Sequence, residues 1–357
     1  KTDCIAVVVP EEGAMQYSNG CQRALFLAVA ACSGCLATTT RAQEICGLQT
    51  ASFDVIFTDG FDPPTPGLGP PVSTVQPPAL GVTPAIAVTY PPSGATIPSN
   101  KVQVSGTFTG PTGTGVSVNG VRAYVYNGTF LTPSFTLTSG MNSLPVQATT
   151  LDGLTATTSL SITSAPVSTG IELFSDADAG YWPFGIGFSI GVPSTITVQS
   201  VTVDFGDGSA IYTGTDPNAI PRHLFTAAGV HVVQATVTDT ASNQYTVQRR
   251  VAILDIASQR EILCSVYAHV RTRMAASDVT GAMHAFHLKQ RHKYARLFNA
   301  LGVNLPIAAT RLGMIANGTL SPIDAELILV TEQAGEVSGY PLHMSPDGLG
   351  VWRIDSM

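Results

Sequence analysis

Cysteine is the residue type with the most chemistry in this chain. Cys4, Cys21, Cys32, Cys35 and Cys46 fall within the first 46 residues, and Cys264 stands far from them. Cys32-Ser33-Gly34-Cys35 has the two-residue spacing of a redox dithiol. Such a couple belongs at a strand-to-helix junction, which this stretch does not offer, and a zinc site would want four clustered ligands. The expectation is therefore structural disulfides formed in an oxidising compartment. Five is an odd number, so at least one of the clustered cysteines is free or pairs elsewhere. Cys264 is the partner outside the cluster. Either the two ends of one chain meet, or two chains are cross-linked. Six cysteines allow fifteen pairings, and the sequence does not choose among them.

Other candidate groups read more weakly. Asp204 and Asp207 flank Phe205-Gly206. Paired carboxylates suit a hard cation such as calcium, but in a strand-end turn they cap backbone amides, and that is the expectation. Asp176-Ala177-Asp178-Ala179-Gly180 opens like a calcium loop yet lacks the later ligands and the closing Glu. His284, His287 and His292 lie close in sequence, but Lys289, Arg291 and Lys293 surround them and repel a metal ion. There is no Gly-x-Ser-x-Gly elbow, phosphate-binding loop or His-Glu-x-x-His helix. The expectation is no catalytic residue, no cofactor, no metal and no enzyme. An active site built on His269 or His284 in the C-terminal region is the minor alternative.

The elements that hold these residues follow from composition. The chain has 357 residues, of which 11% are charged, with abundant Gly and Pro. That favours short strands and turns in several domains. The net charge of −7 argues against nucleic acid as a partner. Charge is uneven, however. Residues 249–311 hold ten Lys/Arg against three acids (+7), and the remainder sums to −14. The chain starts at Lys1 with no leader-like segment, as a mature secreted chain would. The longest apolar run, Ala24 to Cys32, is too short to span a membrane.

In order, residues 1–60 read as a disulfide-rich α/β cap, with an apolar strand at Ile5–Val9 and a buried helix from Cys21 to Leu36. Residues 61–84 are a Pro-rich linker. Residues 85–165 carry seven or so short strands. The series Pro91–Ile97, Val102–Thr107, Val116–Val121, Asn127–Phe130 and Gly140–Leu144 resembles the bacterial immunoglobulin-like module found as the B domain of glucodextranase. That resemblance implies a β-sandwich without catalytic residues. In residues 170–254, Val203–Gly208, His223-Leu224-Phe225, Gly229 and Val237-Thr238-Asp239 resemble the polycystic kidney disease (PKD) β-sandwich, a spacer and adhesion module. The family's Trp is replaced by Val203, and Trp182 is the expected substitute core aromatic. Two Asn-Gly-Thr sequons, at Asn127 and Asn317, are expected as Asn-Gly turns.

Residues 255–357 turn helical. Leu263, Val266, Tyr267, Val270 and Met274 form the apolar stripe of a helix over Ala257–Ala276. Helices are expected at Val279–Leu288 and Gln290–Leu301, and strands at Ala325–Glu332 and Tyr340–Met344. Together with the closing Gly350–Asp355 strand, this order resembles the cone-shaped α+β fold of the nuclear-transport-factor type. The predicted class is thus multidomain and mainly β: two Ig-like β-sandwich modules between a cysteine-rich cap and a C-terminal α+β domain.

The leading expectation is an extracellular structural subunit that assembles head to tail with copies of itself into a filament or appendage. Ile5, Val7, Val9, Leu25 and Leu27 would dock on a neighbour. Arg271, Arg273, Arg291 and Lys293 would face an acidic module. The alternative is a cell-surface adhesin or carbohydrate-binding accessory module that meets surface glycans through Tyr124, Tyr126, Tyr181 and Trp182.

Overall fold

The computed structural model describes residues 75–166, 170–333 and 336–357. The cap with Cys4, Cys21, Cys32, Cys35 and Cys46, and the docking candidates Ile5, Val7, Val9, Leu25 and Leu27, lie outside the described residues. So does the linker as far as residue 74.

The first module is a sandwich of two sheets. One has the order β1-β3-β7-β6, from β1 (Ala85–Tyr90), β3 (Ser105–Thr109), β7 (Thr129–Leu131) and β6 (Tyr124–Tyr126). The other runs β2-β9-β8-β4-β5, from β2 (Thr96–Ile97), β9 (Thr155–Ser164), β8 (Gly140–Thr149), β4 (Gly115–Val118) and β5 (Val121–Arg122). Alternating residues of both sheets, among them Val104, Val116, Phe130, Val146, Leu160 and Ile162, fill the space between them. Two hairpins close on Asn119-Gly120 and Asn127-Gly128. All four residues have positive φ, the geometry a two-residue turn needs to match strand twist. Asn317-Gly318 differs. It lies inside a strand at a register shift, not in a turn.

The second module has a sheet of order β10-β14-β13-β11-β12. Its strands are β10 (Ala179–Tyr181), β11 (Val198–Asp204), β12 (Tyr212–Gly214), β13 (Gly229–Asp239) and β14 (Gln244–Leu254). Two further strand pairs, Glu172–Ser175 with Phe188–Gly191 and Phe184–Ile186 with His223–Phe225, cover it. Its core aromatics are Phe188, Phe205 and Phe225. The expectation for Trp182 is corrected: it is 45% exposed, because three phenylalanines already fill the core.

The C-terminal domain begins with α1 (Ile256–Ala275), which Asp255 caps by accepting hydrogen bonds from the Ala257 and Ser258 amides. All five residues of the predicted stripe are buried. The helix expected over Val279–Leu288 breaks up instead. A single turn α2 (Val279–Ala282) passes into a 3₁₀ turn, and Phe286 is extended, bridging Ile354. The break drives Phe286 into the core against Tyr294 and Phe298. Next come α3 (Leu288–Leu301) and α4 (Leu305–Arg311), the latter with Pro306 in its first turn. A four-stranded sheet follows, in sequence order: β15 (Met314–Ser321), β16 (Asp324–Gln333), β17 (Glu336–Pro346) and β18 (Trp352–Ser356). Sequence reading misses α4 and β15. Cys264 is buried in α1 and disulfide-bonded.

Candidate functional site

The candidate chemical groups are engaged with their own neighbours. Asp204 accepts from the Gly206 amide (2.9 Å) and Asp207 from the Ser209 amide (3.0 Å). The second Asp207 oxygen meets His223 Nε2 at 2.7 Å, and the imidazole lies flat on Phe205, with centroids 3.8 Å apart. Burial alone would raise the Asp207 carboxyl, but the bonds from Ser209 and His223 bring it down to about 2. Gly206 has φ of +72°, and a Cβ there would strike the Val232 carbonyl, so the turn is pressed against β13. These aspartates shape a turn. Asp176 pairs with Arg222 (2.5 Å) and Asp178 with Arg249 (2.7 Å), so the apparent calcium-loop start is an ion-pair pair.

The three histidines separate in space. His292 is exposed. His284 stacks toward His269, with centroids 6.3 Å apart. His287 stands at the N-terminal boundary of α3, and its side chain reaches β17 and β18. Among the described residues, no three His, Cys, Asp or Glu gather in a metal-ligating group. Burial lowers both His269 and His284 below the usual imidazole value; nearby Arg291 adds to the effect on His284.

One cluster has the composition of a hydrolytic site. Ser345 Oγ lies 3.1 Å from His287 Nε2 and 2.5 Å from Asp355 Oδ2, with Lys289 3.3 Å from the other Asp355 oxygen. The geometry is wrong for nucleophilic catalysis. His287 Nε2 faces the Ser345 carbonyl at 3.0 Å and Asp355 at 3.6 Å, so this nitrogen donates. The serine proton goes to the carboxylate, so no imidazole base activates Oγ. Burial favours a protonated Asp355, but Ser345, His287 and Lys289 outweigh it and hold the carboxyl below its usual range. The cluster fastens the start of α3 to the sheet.

The most constructed polar arrangement lies between modules, and sequence reading misses it. The Gln103 side chain pairs with the Arg250 backbone in both directions, Nε2 to carbonyl and amide to Oε1, each 2.9 Å. The Arg250 guanidinium sits over the Tyr90 ring, 3.2 Å from its centroid. Beside it, Leu131, Tyr124 and Tyr126 of the first module pack with Ala252, Leu254, Ala179 and Tyr181 of the second. Three of the four aromatics expected to meet a glycan are therefore inside this seam. Trp182 is the exposed one, and its indole N–H donates to Asp255 (3.3 Å).

A second seam joins the first module to the C-terminal domain. Leu151, at the tip of the β8–β9 hairpin, is 2% exposed and belongs to the C-terminal core. The buried Arg353 donates to the Leu151 carbonyl (3.2 Å), the His284 carbonyl and Asp347 (2.6 Å). Arg122 reaches the Pro346 carbonyl (3.2 Å), and Gly115 lies backbone to backbone against Gly350. Tyr181 closes the third side, donating to the Ser321 carbonyl (3.1 Å). Each of the three modules thus touches the other two.

The subunit-interface candidates fare unevenly. Arg273 pairs with Asp278 (3.0 Å), and Arg291 donates to the Phe286 carbonyl (3.1 Å). Arg271 is half-buried on α1, and Lys293 is exposed beside the Tyr294 ring.

No family model and no curated protein matches the chain. Among solved structures, several align with about half of it. Fibronectin(III)-like modules of CbhA from Clostridium thermocellum share 15% identity over 48% of this chain and 95% of theirs, with a TM-score of 0.19. A putative membrane anchored protein from Corynebacterium diphtheriae shares 12% identity over 48% of this chain and 53% of its own (TM-score 0.21). A tetra-tandem repeat in the extending region of a large adhesion protein shares 15% identity over 48% and 49% (TM-score 0.18). The aligned part spans about half of the latter two chains. Likenesses of this order leave function to the chain's own geometry. No helix among the described residues is long and apolar enough to cross a membrane.

Proposed function

We propose that this chain is a non-catalytic, extracellular module of the bacterial surface that works as an adhesin-type binding element. It presents a rigid block to a macromolecular partner. The observation that carries this reading is the pair of seams. Side chains that would serve a flexible string of modules as ligand contacts lock the modules to one another instead, through Tyr124, Tyr126, Tyr181, Gln103 and Arg250. The Ser345–His287–Asp355 cluster, wired as a fastener, supports the same reading. Trp182 is the exposed aromatic available to stack on a sugar ring. On a glycan array the intact chain should bind a subset of polysaccharides. Trp182→Ala should lower that signal at least tenfold while circular dichroism shows the chain still folded. Equal binding by the variant would remove Trp182 from the site, and an array with no signal would refute glycan recognition.

A second reading, a subunit that assembles with its own copies, is favoured by one observation. The corner between α3 and α4 exposes Leu297, Val303 and Ile307, a density of apolar side chains that a solitary surface does not need.

A further inference from the structure

The α3–α4 corner has the build of an inserting knob. α3 ends at Gly302, whose φ of +49° turns the chain, and one 3₁₀ turn leads into α4. Leu305 and Ala309 anchor α4 to the core, one helical turn apart. Ile307, between them in sequence, projects from the other side and is 51% exposed. Leu297 is 51% and Val303 is 91% exposed. Residues 279–323 contain no acid. Lys289 is paired with Asp355 and Arg291 with the Phe286 carbonyl, while Arg296 and Arg311 flank the corner in sequence and are exposed. The knob is apolar with a cationic rim.

The same chain carries an open cleft of about 560 Å³, with Val75, Gln76, Pro77, Pro78 and Ala79 on one wall and Gly110, Pro111 and Thr112 on the other, so its lining is part apolar and part polar. Its size is in the range of about 300–1,000 Å³ that holds a small ligand or a few side chains. The far loop is braced, because Thr114 donates to the Pro111 carbonyl from its amide (3.0 Å) and its hydroxyl (2.7 Å). Prolines fix φ on both walls, so the cleft is preformed. Its charged residue is Glu261, exposed on α1. Knob and socket are both open to solvent, so the contact is not made within one chain.

We propose that the α3–α4 corner of one chain seats in the Pro-walled cleft of a second copy, with Arg296 and Arg311 drawn to Glu261. This rests on the self-assembly reading. Two different surfaces meet, so the contact is heterologous and either propagates or closes into a ring. Charge steers it, so it weakens with salt.

Sedimentation equilibrium of the full chain, from micromolar to several hundred micromolar at low and high salt, tests it. Wild-type chains should associate, less so at high salt. Val303→Asp should weaken association at least tenfold with unchanged circular dichroism and melting temperature. The double change Arg296→Glu with Arg311→Glu should weaken it likewise, and adding Glu261→Arg should restore it. Association untouched by Val303→Asp, or a charge swap without recovery, would overturn this contact while leaving assembly standing. A wild-type chain monomeric throughout would overturn both. A monomer that instead binds phosphatidylglycerol vesicles, and loses them with Val303→Asp, would assign the knob to a lipid surface and refute the second copy.

Discussion

Asp207 illustrates how a site-like residue can serve the fold alone. Its carboxyl is held near 2 in the native state against an ordinary 3.8, so the unfolded chain binds its proton first as pH falls. The stabilisation is complete above the ordinary carboxylate range and is lost as pH drops from about 3.8 toward about 2. Urea midpoints at pH 5 and pH 2.5 should differ more for the wild-type chain than for Asp207→Asn, a change confined to the second module. Buried His269 and half-buried His284 have the opposite chemistry and the same slope. His269 and His284 sit below their unfolded value, so protonation of the unfolded chain costs stability as pH falls below about 6.5. Arg353 joins residues far apart in sequence. Replacing it with Leu leaves Asp347 and the Leu151 carbonyl without their buried partner. Leaving a buried hydrogen-bonding group without its partner costs about 1–3 kcal/mol. Arg353→Leu should lower the unfolding free energy by that order in denaturant titrations and expose Leu151 to hydrogen exchange. None of this was legible from spacing. The sequence reading places Arg353 only within a closing strand, since its burial is decided by a partner 202 residues away.

At the level of elements, the sequence was informative wherever periodicity was local. The α1 stripe, the Asn-Gly hairpins and the sandwich strands all follow from patterns a few residues long. What failed did so for tertiary reasons. The expected helix after Val279 breaks because Phe286 packs on Tyr294 and its backbone bridges β18. α4 is short, seven residues with two of them buried, and Pro306 alone marked its start. Docking of β4 on the β17–β18 turn depends on glycine at both contacts. A Cβ at Gly115 would lie 2.2 Å from Gly350 backbone, which has no side chain to swing away. Gly115→Ala should therefore destabilise the seam by about 1–3 kcal/mol, and limited proteolysis should begin cleaving near Gly350 in the variant but not in the wild-type chain.

Seen as a whole, the three described modules form a triangle instead of a row. The row was the natural reading, because composition reveals module boundaries but not the long-range contacts between modules. The first module and the C-terminal domain share a core through Leu151, so they should melt together in a single calorimetric transition. The second module lies between them in sequence, yet the seam at Arg353, Gly115 and Leu151 joins its neighbours directly. Mechanically, that seam is a bypass. Tension applied at residues 75 and 357 passes from the first module straight into the C-terminal domain, and residues 170–254 sit in an unloaded loop. In single-molecule pulling the first rupture should be the seam, and only then should the second sandwich come under load and extend. Slack of that kind, held in reserve behind a clasp, lets the three-module block yield under load before its sandwiches unfold.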